Sequence, residues 1–225
     1  KDLSLTRLPQ NPILKPDPEH SWESAAVFNP AAFYDNGRVH LLYRAMGGDG
    51  ISRIGYAWST DGTHFKRFPY PVYDQGAGFV PPEKQKRKYA SGGGWGGSED
   101  PRAVKLDGRI YMNFTGFEGW ESIRIALTSL SVGDFRSGVW NWVPPVYLSP
   151  PNQTNKNWLL FPEKVGGKYA ILHSVSPNIL IEYVDSLDHF DGNTFIQNSS
   201  RGGGRPHHWD STVRGAGAPP IKTPQ

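Results

Sequence analysis

Hydrophobic and polar positions along this chain alternate in short bursts rather than in long helical periods. Arg38-Val39-His40-Leu41-Leu42-Tyr43-Arg44 is rich in β-formers and is bounded by Asn36-Gly37 and Gly47-Gly48. A run of that kind between turn formers predicts a strand. Ile51 to Ser59 predicts a second strand, ending at the turn Thr60-Asp61-Gly62. The pattern recurs at Arg109 to Phe114 and Ile123 to Thr128, and again at Lys168 to His173 and Ile179 to Tyr183.

The recurrence is a repeat. Each unit opens near a proline, in Phe28-Asn29-Pro30, Glu99-Asp100-Pro101, Phe161-Pro162 and Ala218-Pro219, with separations of 71, 61 and 57 residues. A turn glycine follows, at Gly37, Gly108 and Gly167, then a basic residue and a strand. After a second strand comes an aromatic residue, Phe65, Phe135 or Phe190, inside a polar turn. Each unit therefore reads as two hairpins. One small antiparallel sheet cannot bury both of its faces alone, so such units stack radially as blades of a β-propeller. Radial stacking also leaves only short edges open. A β-sandwich is the competing all-β architecture, and the repeat favours the propeller. The fourth unit opens at Gly215 to Ile221, and the sequence stops four residues later. The expectation is three blades and the start of a fourth from a longer ring, with an apolar edge exposed if the chain stands alone.

Composition agrees with this architecture. Glycine and proline make up 46 of 225 residues, from 26 and 20, above the usual share of about 12%. Aromatic residues at 13% argue against disorder. The formal net charge of +3 is too small a margin to suggest a nucleic-acid partner. With no cysteine there is no disulfide framework, thiolate metal site or thiol nucleophile. No apolar run approaches the roughly 20 residues that a membrane helix needs. Lys1 to Gln10 lacks the apolar core of a signal peptide. These features fit a cytoplasmic protein with no membrane or nucleic-acid partner. A homo-oligomer is admitted but not specified.

Candidate chemistry gathers at the unit openings. Innermost propeller strands start toward the central channel. Asn29, Asp100, Arg102, Glu163 and Lys164, at equivalent points of successive units, are therefore expected to converge on one axial pocket. Such a pocket could grip a hydroxyl-rich ligand, with Trp22, Trp95, Trp120, Trp158 and Trp209 offering ring faces from nearby loops. The bland alternatives are a ring-closing salt-bridge network for Glu163 and Lys164, and inter-blade packing for any single tryptophan. The glycine-rich run Gly92 to Gly97, the cluster Arg201 to Gly204 and the basic run Lys84 to Lys88 are expected to be mobile surface loops. Gly92 to Gly97 has neither the lysine nor the helix of a phosphate-cradling loop. The seven histidines show no HxH or HExxH spacing. His207-His208-Trp209-Asp210 fits loop packing or a substrate contact better than a metal, because adjacent strand residues face opposite ways. No GxSxG motif is present.

Five stretches in series resemble glycoside hydrolase family 130, which contains β-mannoside phosphorylases and some β-mannosidases. They are Trp22-Glu23 through Ala32; Leu42-Tyr43-Arg44-Ala45; Glu99-Asp100-Pro101-Arg102; Leu160 to Lys164 with Gly167-Lys168-Tyr169 and Leu172-His173; and Gly215 to Ile221. The resemblance covers nearly the whole chain and implies a five-bladed β-propeller, so residues 1–225 form a single, C-terminally incomplete glycosidase-type propeller domain. It implies that Asp100 is the general acid, protonating the leaving oxygen through the 3-hydroxyl of the bound mannose. Inorganic phosphate, as co-substrate and with no cofactor or metal, would attack the anomeric carbon with inversion to give mannose 1-phosphate. It further implies substrate contacts at Asn29, Arg44, Arg102, Glu23 and His173, and phosphate contacts at Lys164 and Arg214. One departure stands out. Family phosphorylases often carry a basic residue after the Leu-His pair, where this chain has Ser174. That change weakens the phosphate site, and hydrolysis of the same bonds is the alternative. A non-catalytic, glycan-binding propeller is the second.

Overall fold

The computed structural model describes residues 6–74, 94–117, 123–176, 178–197, 206–208, 211 and 215–221. The basic run Lys84 to Lys88, the cluster Arg201 to Gly204, Trp120, Trp209, Asp210 and Arg214 lie outside the described residues.

The chain folds as successive antiparallel units, as the repeat predicts. The first comprises β1 (Ala26–Asp35), β2 (Arg38–Met46), β3 (Ile51–Ser59) and the short β4 (Lys66–Arg67). The second comprises β5 (Gly96–Leu106), β6 (Arg109–Phe117), β7 (Ile123–Ser131) and β8 (Val146–Tyr147). The third comprises β9 (Leu159–Leu160), β10 (Tyr169–Ser174) and β11 (Leu180–Val184). Within each unit, strands pair antiparallel with their sequence neighbours. Units one and two also join by a short parallel pairing, Ile51 with Gly96 and Ser52 with Gly97.

Turn chemistry sets the register. Asn36-Gly37 and Asp107-Gly108 carry positive φ at both residues, 47° and 75° in the first pair, 48° and 74° in the second. That is the two-residue type I′ hairpin, whose twist matches the flanking strands. Gly166-Gly167 does the same for the third unit, at 58° and 82°.

Much of the core lies between units. Ala31, Leu42 and Ile54 of the first pack with Ala103, Met112, Phe114 and Ala126 of the second. Val104, Ile125 and Leu127 of the second pack with Trp158, Leu160, Ile171 and Val184 of the third. Each of the larger side chains, fully buried, contributes about 2 kcal/mol, so neighbouring units stabilise one another. The all-β propeller expectation holds.

Three local expectations are corrected. Phe135 sits in a short helix, α1 (Val132–Arg136), rather than in a plain polar turn. The Ser131 hydroxyl caps it by accepting from the Asp134 N–H at 2.9 Å, which frees Phe135 to fill the core with Ile110 and Leu130. The described part of the glycine-rich run, Gly94 to Gly97, is structured: Trp95 N–H donates to Gly50 O at 2.8 Å, and Gly96 opens β5. The fourth opening, Gly215 to Ile221, forms no strand, although Gly215 packs against Asn157.

Candidate active site

The site begins with two matched irregularities. β1 and β5 are neighbouring innermost strands, and both break register at the residue before a proline. The pairing skips between Phe28 and Ala31 in β1, and between Glu99 and Arg102 in β5. Asn29 and Asp100 occupy the skips with φ of 46° and 52°. Asn and Asp tolerate this left-handed region better than other L-residues. The following proline has no N–H to offer the ladder. Each bulge turns one short polar side chain out of the sheet. The two meet: Asn29 Nδ2 donates to Asp100 Oδ1 at 2.8 Å.

A buried guanidinium supports the carboxylate from behind. Arg44 of β2 donates from Nη1 to Asp100 Oδ1 at 3.2 Å, from Nη2 to Glu99 Oε1 at 2.9 Å and from Nε to Ser52 Oγ at 2.9 Å. Its side chain is 2% exposed, and the Phe28 ring lies 4.6 Å from its carbon. Lys156 completes the set, donating to Glu99 Oε2 at 2.8 Å. Glycines make room for it. A Cβ on Gly94 would stand 3.2 Å from Arg44 Nη2, and one on Gly97 would stand 2.2 Å from Ser52 O.

Asp100 itself remains open, with 10% of its side chain exposed. Among the described residues both of its side-chain bonds fall on Oδ1, so Oδ2 can meet a ligand hydroxyl. Arg102 folds back, donating from Nη1 to the carbonyls of Asp100 and Pro101 at 3.1 Å each, and from Nη2 to Asn157 Oδ1 at 3.4 Å. Its buried Nε has no hydrogen-bond partner. Burial pulls the Arg102 guanidinium below its ordinary value, and Asp100 opposes the shift. It stays charged at any working pH, and its Nε–H lacks an acceptor.

Of the residues expected from sequence, Asn29, Asp100, Arg102 and Arg44 come together. Arg44 does so as a buried support behind Asp100. Glu23 does not join them. It is fully buried, accepting from Tyr43 OH at 2.8 Å and Arg67 Nη1 at 2.8 Å, with His20 Nδ1 at 2.7 Å. Tyr43 and Arg44 are adjacent on β2 and so face opposite sides of the sheet, which puts Glu23 across the blade from Asp100. Burial, then Glu23, pushes the Tyr43 hydroxyl far above its ordinary value, so it remains a donor. Lys164 is also elsewhere: it pairs with Asp107 at 2.9 Å and lies over the Tyr169 ring. Asp107 is seven residues along from Asp100, roughly 20 Å at strand rise. His173 is buried edge-on to Trp158, ring centres 5.4 Å apart.

Of the five candidate tryptophans, the three described ones pack against the protein. Trp158 is core, and Trp22 stacks near His20 and Tyr43 with its Nε1 on Pro69 O at 3.2 Å. Trp95 covers Gly50. His207 and His208 are exposed in a turn. Among the described residues, Asp17, His20 and Glu23 place potential ligand atoms within 4.8 Å of one another. Glu23 is already satisfied there by Tyr43 and Arg67. Glu99, Ser52, Lys156 and Asn157 were not anticipated. Glu99 stands beside Asp100 in the motif, and Lys156-Asn157 precede Leu160-Phe161-Pro162 by a few residues, the only signals for them.

Fold and site together define a β-propeller that presents one partly open, cation-supported carboxylate where innermost strands meet. The chain matches glycoside hydrolase family 130, described as beta-1,4-mannooligosaccharide phosphorylase, over residues 4–225, and belongs to that family. It is 40% identical to a 1,2-beta-oligomannan phosphorylase of Thermoanaerobacter sp. strain X514, over 98% of this chain and 69% of the relative. It is 36% identical to a beta-1,2-mannobiose phosphorylase of the same organism, over 97% of this chain and 68% of the relative. A solved glycosyl hydrolase of Bacteroides ovatus is similar with a TM-score of 0.59 at 26% identity, covering 80% of this chain and 55% of that one. The beta-1,2-mannobiose phosphorylase of Listeria innocua, solved with beta-1,2-mannobiose, shares the fold with a TM-score of 0.61 at 22% identity, over 97% of this chain and 72% of that one. The chain thus spans a little over two thirds of the curated relatives and about half of the Bacteroides structure.

Proposed function

We propose that this chain carries the acid-bearing part of a β-mannoside phosphorylase acting on short manno-oligosaccharides. The observation that carries the reading is the Asp100 carboxylate, turned out of β5 by its bulge and fixed through Oδ1 by Asn29 and Arg44. Protonated, its free oxygen gives a proton to a sugar hydroxyl, which relays it to the leaving glycosidic oxygen as that bond breaks. Inorganic phosphate is the co-substrate. Its oxygen bonds to the anomeric carbon from the opposite face, giving inverted mannose 1-phosphate and a shortened acceptor sugar. Phosphate is already a nucleophile, so this route needs no second carboxylate as base, whereas inverting hydrolysis does. Arg102, partly exposed and bonded through Nη1 to the Asp100 carbonyl, is a described cation placed beside the acid for an anionic or polar ligand group. The names of the two curated relatives favour the β-1,2 linkage, although the family description names β-1,4.

Hydrolysis of the same bonds is the second reading, and Ser174 is the observation behind it. Its hydroxyl donates to Ser176 O at 3.3 Å and Asn178 O at 2.9 Å, closing a turn where a basic residue would meet phosphate. Product analysis decides between them. Incubating the full-length protein with β-1,2- and β-1,4-mannobiose, with and without phosphate, should give mannose 1-phosphate only when phosphate is present. Free mannose at a phosphate-independent rate would select hydrolysis. Binding without either product would select a glycan-binding propeller.

A further inference from the structure

We propose that Glu99 is a positioning residue that keeps Asp100 able to hold its proton, acting through Arg44 and Lys156. The inference rests on the reading of Asp100 as the acid. Glu99 is fully buried, yet its two oxygens serve two different cations from two different units. Oε1 takes Arg44 Nη2 of the first unit at 2.9 Å. Oε2 takes Lys156 Nζ, on the approach to the third unit, at 2.8 Å. The same Arg44 reaches Asp100 with its other terminal nitrogen at 3.2 Å. One guanidinium is thus shared by two adjacent carboxylates of β5.

The sharing has an electrostatic consequence. A general acid must carry a proton at working pH, and a buried guanidinium beside it favours the ionised form instead. Arg44, with its side chain 2% exposed, is poorly screened by solvent. Glu99 offsets that charge, and its other oxygen neutralises Lys156. The groups around Asp100 can be named by element. Asn29 comes from β1 and Arg44 from β2. Glu99 and Arg102 lie on its own strand. Thr115 and Asn113 stand opposite Glu99 and Arg102 on β6. Lys156 and Asn157 approach from the third unit. Among the described residues of that set, Glu99 is the sole acidic side chain. Removing its charge leaves Arg44 on the Asp100 carboxyl at 3.2 Å, with Arg102 on the same strand and Lys156 nearby, without that counter-charge.

Glu99→Gln keeps the size and an acceptor oxygen but loses the charge. A unit charge on the order of 6 Å away, at an effective dielectric of about 20, moves a carboxyl by about two pH units. The expected result is that the basic limb of the kcat/KM profile moves to lower pH by about one to two units. At pH 7 this appears as a loss of roughly 10- to 100-fold, recovered on acidification, with KM for the disaccharide changed less than threefold. Lys156→Met removes a more exposed cation and should move the limb to higher pH, so a Glu99 variant that fails to fold does not remove the test. A carbon-13 titration of the Asp100 carboxyl, assigned with Asp100→Asn, reads the same opposite shifts without turnover. It therefore separates failure of this inference from failure of the enzymatic reading. An Asp100 titration unmoved by both substitutions, or an activity loss that is the same at every pH, overturns the role of Glu99.

Discussion

Asp35→Asn offers a sharp test of how the units are held in register. Asp35 ends β1 and is 2% exposed. Its Oδ1 accepts from Lys105 at 2.6 Å and from Arg136 Nη2 at 2.9 Å, and its Oδ2 accepts from Arg136 Nε at 2.8 Å. Lys105 lies on β5 and Arg136 on α1, so this carboxylate clasps the first unit to the second at the end of β1 away from Asn29. Asn29 and Asp100 are the matched bulges of those same two strands, which links the clasp to the site. The Arg136 fork first, then Lys105, hold the Asp35 carboxyl well below its usual range against the opposing effect of burial. Hydrogen bonds to charged groups contribute about 1.5–3 kcal/mol each. Both cations are about half exposed, at 42% and 49% of their side chains, so solvent discounts the sum. A loss of about 2–3 kcal/mol is the working figure. For a chain of this length that is a fall of about 5–10 °C in melting temperature. The sign with pH follows from the depressed pKa. The stabilisation is fully present above the unfolded value of about 3.9 and fades as pH falls toward the lower folded value. Thermal melts of wild type and variant should therefore differ by a constant amount from pH 7 to about 5, and the gap should narrow progressively below about pH 4 without closing by pH 3. A gap under about 1 °C at pH 7, or one unchanged at pH 3, would refute the clasp.

Two further outcomes are expected. Asn29→Ala removes the 2.8 Å bond to Asp100 and should lower kcat about 10- to 100-fold, the equivalent of one charged hydrogen bond, with the melting temperature within about 2 °C. A change under threefold would detach Asn29 from the site. Gly97→Ala meets both a φ of 99° and a backbone oxygen 2.2 Å from the new Cβ. It should destabilise by more than about 2 kcal/mol. Gly37→Ala, at φ 75° with nothing within 4 Å, should cost only the backbone strain of about 1–2 kcal/mol. Equal melting shifts for the two would contradict the packing of β5 on β3.

Much of this architecture is written locally, which is why it was legible. Asn36-Gly37 and Asp107-Gly108 fix their hairpins through residues that accept positive φ. Asn29-Pro30 and Asp100-Pro101 mark their bulges in the same way, since a proline after a short polar residue cannot stay in the ladder. What was not legible depends on contacts distant in sequence. Lys164 stands at the third unit's opening, two residues after Pro162, yet Asp107 lies across the unit boundary and captures it. Glu23 belongs to a recognisable motif, but strand alternation puts its partner Tyr43 on the face opposite Arg44. Lys156 reaches Glu99 over 57 residues, and no local pattern announces such a bond. The run around Trp95 looked mobile because glycine is common in loops. Its glycines instead admit Arg44 and the β3 backbone at close range.

The central claim is that Asp100 supplies the proton, and Asp100→Asn in the full-length protein tests it most directly. The variant keeps an oxygen for Asn29 and Arg44 but has no proton to give. With β-1,2-mannobiose and phosphate, release of mannose 1-phosphate should fall by at least about 1,000-fold, a barrier increase of about 4 kcal/mol, while the melting temperature stays within about 2 °C. Turnover within a few-fold of wild type would contradict the account.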